Sequence, residues 1–400
     1  MNILFALKHY TVGGVEVVSQ ILAEEFCRRN HRVTFLSFEA PSEILAARLN
    51  PSIKIVTLES DACSAKNIKL VKALLVEGGV DIVINQWGQP FAPTCLLNRA
   101  RKGTDSIYIS VQHNTPGANE RLAKIDQALS GTKGLRRVLY KTWRHVVYQV
   151  TSHSMRYVYG KSDAFVLLSR SHVPLFREYT KLRDPIKLRV IGNPCCVDAV
   201  YHCGVDNKQK EVVYVGRLSR TQKRVDRIIE VWSRIECAVP DWKLTIVGDG
   251  MDRNAIVQQI QRLRLRNVAV VGYQDPVQYY KTASAIIMTS EYEGFPLVLL
   301  EAMSNGVVPV VYGSFPAVFD IITTGRDGLI VPPKNGQFCA DDMAKQLKGL
   351  ITDQDRLESM SRNAQISSRC YSVDSIYQHW EALFNELSNA QLSKGNTASR

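Results

Sequence analysis

The chain has 400 residues, more than one ordinary core accommodates, so two domains are expected. It carries 50 Lys+Arg against 38 Asp+Glu, a net charge of +12, and all of that excess lies in residues 1–190, which hold 27 basic and 15 acidic side chains. Nine cysteines, odd in number and without C-x2-C spacing, argue against a disulfide framework or zinc site and for reduced thiols of a cytosolic protein, and no run of about 18 apolar residues is there to span a bilayer.

Asn2-Ile3-Leu4-Phe5-Ala6-Leu7 reads as a buried strand, too short and unflanked for a signal peptide. Val12-Gly13-Gly14-Val15 turns into a helix expected over about 17–30, and 31–36 returns as a strand. Glycines after a first strand let backbone approach a ligand, but the pattern is not GxGxxG, so the dinucleotide fingerprint is absent. Segments 81–86 and 107–111 are further strands, and His113 falls at the carboxyl end of the second, where open α/β sheets bind ligands. No acidic residue occurs between Asp126 and Asp163, whereas Lys133, Arg136, Arg137, Lys141, Arg144, Arg156 and Lys161 do. Leu135, Leu139, Trp143, Val146, Val147 and Val150 recur near helical spacing there. This is a basic amphipathic helix suited to an anionic membrane surface, or an ordinary solvated helix packed on a sheet. No nucleic-acid module is recognisable, and nucleic acid is not an expected partner.

The second half restarts after Val190-Ile191-Gly192-Asn193-Pro194, through Cys195-Cys196 and a polar stretch from Asp206 to Lys210. Segment 211–215 is a strand leading to Gly216-Arg217, and Lys223-Arg224 open the next helix; a guanidinium fork and an ammonium together can neutralise a diphosphate. Further strands cover 243–247 and 267–272, the latter ending at Gly272, and the apolar run 283–290 is another. It leads into Glu293-Gly294-Phe295-Pro296-Leu297, with Pro296 suited to a first helical turn and the N–H groups of Gly294, Phe295, Leu297 and Val298 forming an anion cradle. Glu293 lies in the loop and Glu301 about one and a half turns into the helix, so both carboxylates can accept from the hydroxyl pairs of one ligand. Asp353-Gln354-Asp355 is read as an N-cap and solvated turn, not a metal site. A helix with Tyr377, Trp380 and Leu383 follows, and 389–400 is expected to be a disordered tail.

Glu293 to Glu301, with Gly216-Arg217-Leu218-Ser219 and Lys223, resembles the E-x7-E and G-R-L-S…K motifs of retaining glycosyltransferases of family 4. The resemblance covers roughly 1–385 and is most specific between about 211 and 332. It implies an α/β protein of GT-B fold, two Rossmann-like parallel-sheet domains facing a cleft: an acceptor-side domain at 1–192, a nucleotide-sugar domain at 193–372 and a helix at 373–388 crossing back. By the same resemblance, Glu301 binds the ribose hydroxyls, Glu293 the sugar hydroxyls near the reacting carbon, and Arg217 and Lys223 the departing diphosphate. Gly13 and Gly14 match a glycine loop facing the cleft, His113 an active-site histidine orienting donor or acceptor, and the loop at Gly272 a contact to the nucleobase. Two departures stand out. The spacing from Gly216 to Lys223 is one longer than the commonest form, leaving Lys223 and Arg224 both open as the phosphate ligand. Gly313-Ser314-Phe315-Pro316-Ala317 replaces a segment that in many members has two glycines and a glutamate. The expected activity is metal- and cofactor-independent transfer of a hexose or N-acetylhexosamine, with retention, from a nucleotide sugar, a UDP-sugar first. The acceptor would be a saccharide or glycolipid, lipid-linked, in envelope polysaccharide or lipopolysaccharide synthesis, at the inner face of the cytoplasmic membrane. A nucleotide-sugar 2-epimerase and a non-catalytic sugar-nucleotide-binding protein are the alternatives.

Overall fold

The structure is a computed structural model and describes residues 1–8, 10, 13–40, 49–88, 90–118, 120–195 and 208–398. Val12 of the first turn, and Cys196, Asp206 and Asn207 of the expected crossover, lie outside these. The chain forms two compact units, Met1–Pro194 with Val373–Arg400, and Cys195–Ser372.

The first unit is built on seven parallel strands: β1 Asn2–Leu7, β2 Arg32–Ser37, β3 Lys54–Thr57, β4 Ile82–Asn85, β5 Ile107–Gln112, β6 Ala164–Leu167 and β7 Leu188–Val190, in the order β3-β2-β1-β4-β5-β6-β7. The second has six: β8 Gln209–Val215, β9 Lys243–Val247, β10 Val268–Gly272, β11 Ala283–Met288, β12 Val308–Tyr312 and β13 Leu329–Val331, in the order β10-β9-β8-β11-β12-β13. Helices cover parallel strands on both faces, which is why β4, β5 and β11 are buried at every position and read as mainly apolar runs, with Asn85, Ser110, Gln112 and Ser284 as their buried polar members. In each sheet the chain winds outward from a central strand and then crosses back to that strand's other side, at β1/β4 and at β8/β11. The crevice at the carboxyl ends of such a switch is where this architecture binds ligands. The loops after β1, β5, β8 and β11 carry the glycine turn, His113, Arg217 and Glu293 respectively.

The division falls after Pro194 and again after Ser372. The last helix, Val373–Ala398, belongs to the first unit and packs Tyr377, Trp380 and Phe384 round Phe26, with ring centroids 5.9, 6.5 and 5.6 Å away. It continues well past 388, so the stretch 389–398, expected as an irregular tail, is helical. Each turn added to a docked helix costs no new nucleus, and the polar composition of this stretch does not stop propagation.

Candidate functional site

Residues after β8 and β9 approach each other through glycine. A Cβ on Gly248 would lie 1.9 Å from the Gly216 carbonyl oxygen, and one on Gly250 would lie 2.4 Å from that of Leu218. Both contacts are closer than any side-chain carbon tolerates, so the paired loops require residues without one. Beneath them the buried Tyr214 hydroxyl donates to the Arg217 carbonyl at 2.9 Å. Burial first, and the charge of Glu293 second, push that phenol far above its ordinary value, so it stays a neutral donor.

The loop 217–224 is stitched to the loop after β11. Glu291 N–H donates to the Gln222 carbonyl at 2.7 Å, the Gln222 amide to the Tyr292 carbonyl at 3.4 Å, and the Thr289 hydroxyl to the Arg224 carbonyl at 2.8 Å. These contacts bring Lys223 Nζ to 2.7 Å from Glu293 Oε1, with the two side chains 19% and 8% exposed. A charge-assisted bond this short and this shielded fixes the rotamers of both. The exposed Arg217 guanidinium donates to Gln222 Oε1 at 2.8 Å. Arg224 turns elsewhere, to Asp226 at 2.9 Å and Glu291 at 3.6 Å. Of the two bases left open by the sequence, Lys223 is the one on Glu293.

Pro296 is the N-cap of the helix Leu297–Ser304, one position earlier than a first-turn proline. Phe295 is buried against Tyr371, ring centroids 5.5 Å apart, while Gly294 and Leu297 stay half-buried at the helix entrance. Glu301 lies on this helix and its Oε2 accepts from the Tyr280 hydroxyl at 2.9 Å. Tyr280, fully buried on the helix Val277–Thr282, therefore sets the direction of that carboxylate. Ser314, in the departure segment, donates to the Ser290 carbonyl at the end of β11, so that segment borders the same loop. Gly272 ends β10, two strands from β8, and its carbonyl accepts from Gly248 N–H at 2.7 Å. Asp353 caps the helix Gln354–Ser368 by accepting from Arg356 N–H at 3.1 Å.

In the first unit Gly13 is the N-cap of the helix Gly14–Arg28, which starts three residues before the expected position. The buried Glu16 side chain folds back over this turn, where a Cβ on Gly13 would meet its Oε2 at 2.3 Å. Gly14 is exposed. His113 lies just past β5 and its Nε2 is 2.7 Å from Gln86 Oε1. Burial holds this imidazole down at about 4, neutral at physiological pH. The sequence reading missed Gln86, Gln222 and Tyr280. Only Gln86 had a signal, since it directly follows β4, the strand that neighbours β5.

A family model described as "Glycosyltransferase Family 4" matches residues 12–198, and one described as "Glycosyl transferases group 1" matches 203–367. An exopolysaccharide phosphotransferase of Streptomyces coelicolor is 35% identical over 168 residues, 41% of this chain but only 17% of that protein. An undecaprenol-diphosphate-linked-saccharide alpha-1,4-N-acetyl-D-galactosaminyltransferase of Campylobacter jejuni is 23% identical over 407 residues, 98% of this chain and 100% of its own. Among solved structures, S. aureus TarM in complex with Fondaparinux, alpha-GlcNAc-glycerol and UDP superposes with a TM-score of 0.73 at 15% identity, over 96% of this chain and 99% of that one. The two sheets thus have the GT-B fold. With the N-terminal and C-terminal models matched in order along its length, this chain belongs to the family 4 glycosyltransferases.

Proposed function

We propose that the enzyme transfers a hexose or N-acetylhexosamine from a UDP-sugar, with retained anomeric configuration and without a metal, to a lipid-linked saccharide in envelope polysaccharide or lipopolysaccharide synthesis. The observation that carries this reading is the Lys223–Glu293 contact of 2.7 Å at the end of β11, beside the helix start that leads to Glu301. It puts a cation and a hydroxyl acceptor at one point, as a sugar diphosphate requires. Lys223 and Arg217 would stabilise the departing diphosphate, Glu293 would hold the sugar hydroxyls, and Glu301, aimed by Tyr280, the ribose pair. His113 would orient the donor or acceptor as a neutral group. The acceptor hydroxyl attacks the anomeric carbon on the face the phosphate leaves. The C1–O acceptor bond forms as the C1–O phosphate bond breaks, and the acceptor proton passes to the phosphate oxygen.

Support for the acceptor class comes from the Campylobacter relative, named for an undecaprenol-diphosphate-linked substrate, and from the basic first half, which suits an anionic membrane surface at the inner face of the cytoplasmic membrane. Among the described residues no helix is long and apolar enough to cross a membrane. The test is incubation of UDP-hexoses and UDP-N-acetylhexosamines with and without a polyprenyl-diphosphate-linked saccharide, reading the new linkage by NMR. An α product from an α donor is expected. An inverted linkage, or an epimerised sugar nucleotide released from donor alone, would overturn the reading.

A further inference from the structure

The helix Leu135–Lys161 has two apolar faces, where the sequence pattern showed one. Val147, Met155 and Val158 are buried in the unit. Leu135, Leu139, Trp143, Val146 and Val150 are 77, 62, 56, 43 and 63% exposed. At about 100° per residue these five fall within an arc of about 80°, a continuous outward stripe running for four turns. Val147, grouped with them by spacing, turns inward instead to pack with Leu122 and Ile125. Every residue from 133 to 143 is exposed, so the first turns of the helix stand clear of the unit's core.

Single exposed apolar residues are ordinary, but a contiguous stripe with a tryptophan midway along it marks a contact surface. Charge identifies what it contacts. Lys133, just before the helix, Arg136, which borders the stripe, and Arg137 and Lys141 on the opposite, polar side of the first turns have no acidic partner among the described residues, whereas Arg144 is tied to Asp126. No acidic side chain interrupts 127–162. A protein interface core is depleted of charge, and lysine above all, while a helix lying in a bilayer interface combines an apolar ridge with flanking bases whose stems reach up to the phosphates. We infer that this stripe inserts at the headgroup–acyl boundary of an anionic bilayer, with Trp143 at its centre and the four bases on lipid phosphates. The inference rests on the membrane-surface reading above and goes further, since it requires apolar insertion and not charge attraction alone.

The experiment measures binding of the full chain to vesicles of phosphatidylcholine with phosphatidylglycerol and of phosphatidylcholine alone, at low and high salt. Acyl-brominated lipid serves as a fluorescence quencher. Wild type should bind the anionic vesicles, keep part of that binding at high salt, and be quenched by bromine. Trp143→Phe should lose most of the quenching. Leu139→Gln with Trp143→Gln should bind about tenfold more weakly or worse, while its thermal shift with UDP matches wild type and shows it folded. Undiminished binding by the double variant, with no quenching in wild type, would overturn insertion and leave charge docking standing. No binding of wild type to either vesicle would remove both. Self-association lost in the double variant, without vesicle binding, would overturn the proposal and make the stripe a contact between copies.

Discussion

At the scale of single residues, the two bases after Gly216 have opposite tasks. Lys223 sits on Glu293, and Arg224 is taken up by Asp226 and Glu291 in a left-handed backbone position, φ 50°. Lys223→Met is expected to lower kcat by about two to three decades, the loss of about 3–4 kcal/mol at the developing diphosphate charge. Arg224→Met should cost thermal stability and leave turnover within a few-fold; the reverse pattern in steady-state kinetics would reassign the phosphate ligand. Tyr280→Phe removes the donor that aims Glu301 and should weaken UDP binding by about 1.5–3 kcal/mol in calorimetry, with kcat nearly unchanged. His113 titrates in the folded protein at about 4, below the ordinary imidazole value near 6.5, so the unfolded chain binds more protons between these values. This group's contribution is present above about pH 6.5 and is lost as pH falls through about 4. The melting-temperature advantage of wild type over His113→Asn should therefore shrink on acidification across that window, and an advantage independent of pH would show that the imidazole is not buried neutral. The charged and glycine positions were legible because motif chemistry restricts residue types. Tyr280 and Gln222 were not, because each acts on a site residue through folding of separate segments, and a lone tyrosine or glutamine carries no local signature.

At the scale of elements, most strands were visible because parallel strands covered on both faces are apolar at nearly every position. Their order was not, since neighbours such as β1 and β4 are about eighty residues apart and no local pattern records the crossover. The long helix Leu135–Lys161 shows how a loose count of apolar positions misleads: Val146 and Val147, grouped together in the sequence, lie about 100° apart on the helix, so one faces out and the other in. The final helix was visible through Tyr377, Trp380 and Leu383, but its length was misjudged, because composition marks where a chain is polar and not where a docked helix stops. Its attachment is mainly aromatic. Trp380 is 2% exposed and packs edge-on against Phe26 and tilted against Phe384, so Trp380→Ala should cost about 3–5 kcal/mol in denaturant unfolding. Asp374, 65% exposed beside Arg28 and Arg29, makes the kind of surface pair worth about 0–1 kcal/mol, and Asp374→Ala should change little. Equal losses in the two variants would mean that the ion pairs hold the helix as firmly as the rings.

At the scale of the molecule, charge and chemistry are divided between the halves. Residues 1–190 carry the whole excess of +12, and the remainder holds 23 bases and 23 acids. The Lys223–Glu293 pair and Glu301 sit in the electrically balanced part; in the proposed function the shielded contact of Lys223 with Glu293, which salt screens little, lies at the donor. Attraction of an anionic acceptor to the basic half acts over longer distance and through solvent, where a Debye length of about 8–10 Å at physiological salt removes most of it. Salt should therefore separate the two substrates. Raising ionic strength from about 0.02 to 0.3 M is expected to lower kcat/KM for a polyprenyl-diphosphate-linked saccharide by about tenfold or more, with a distinctly smaller change in the dissociation constant of UDP measured by calorimetry. A neutral soluble saccharide, if it serves as acceptor, should show only the smaller change. Parallel losses for the charged and neutral acceptors would locate the salt effect at the donor loops and leave the basic half without a part in acceptor capture.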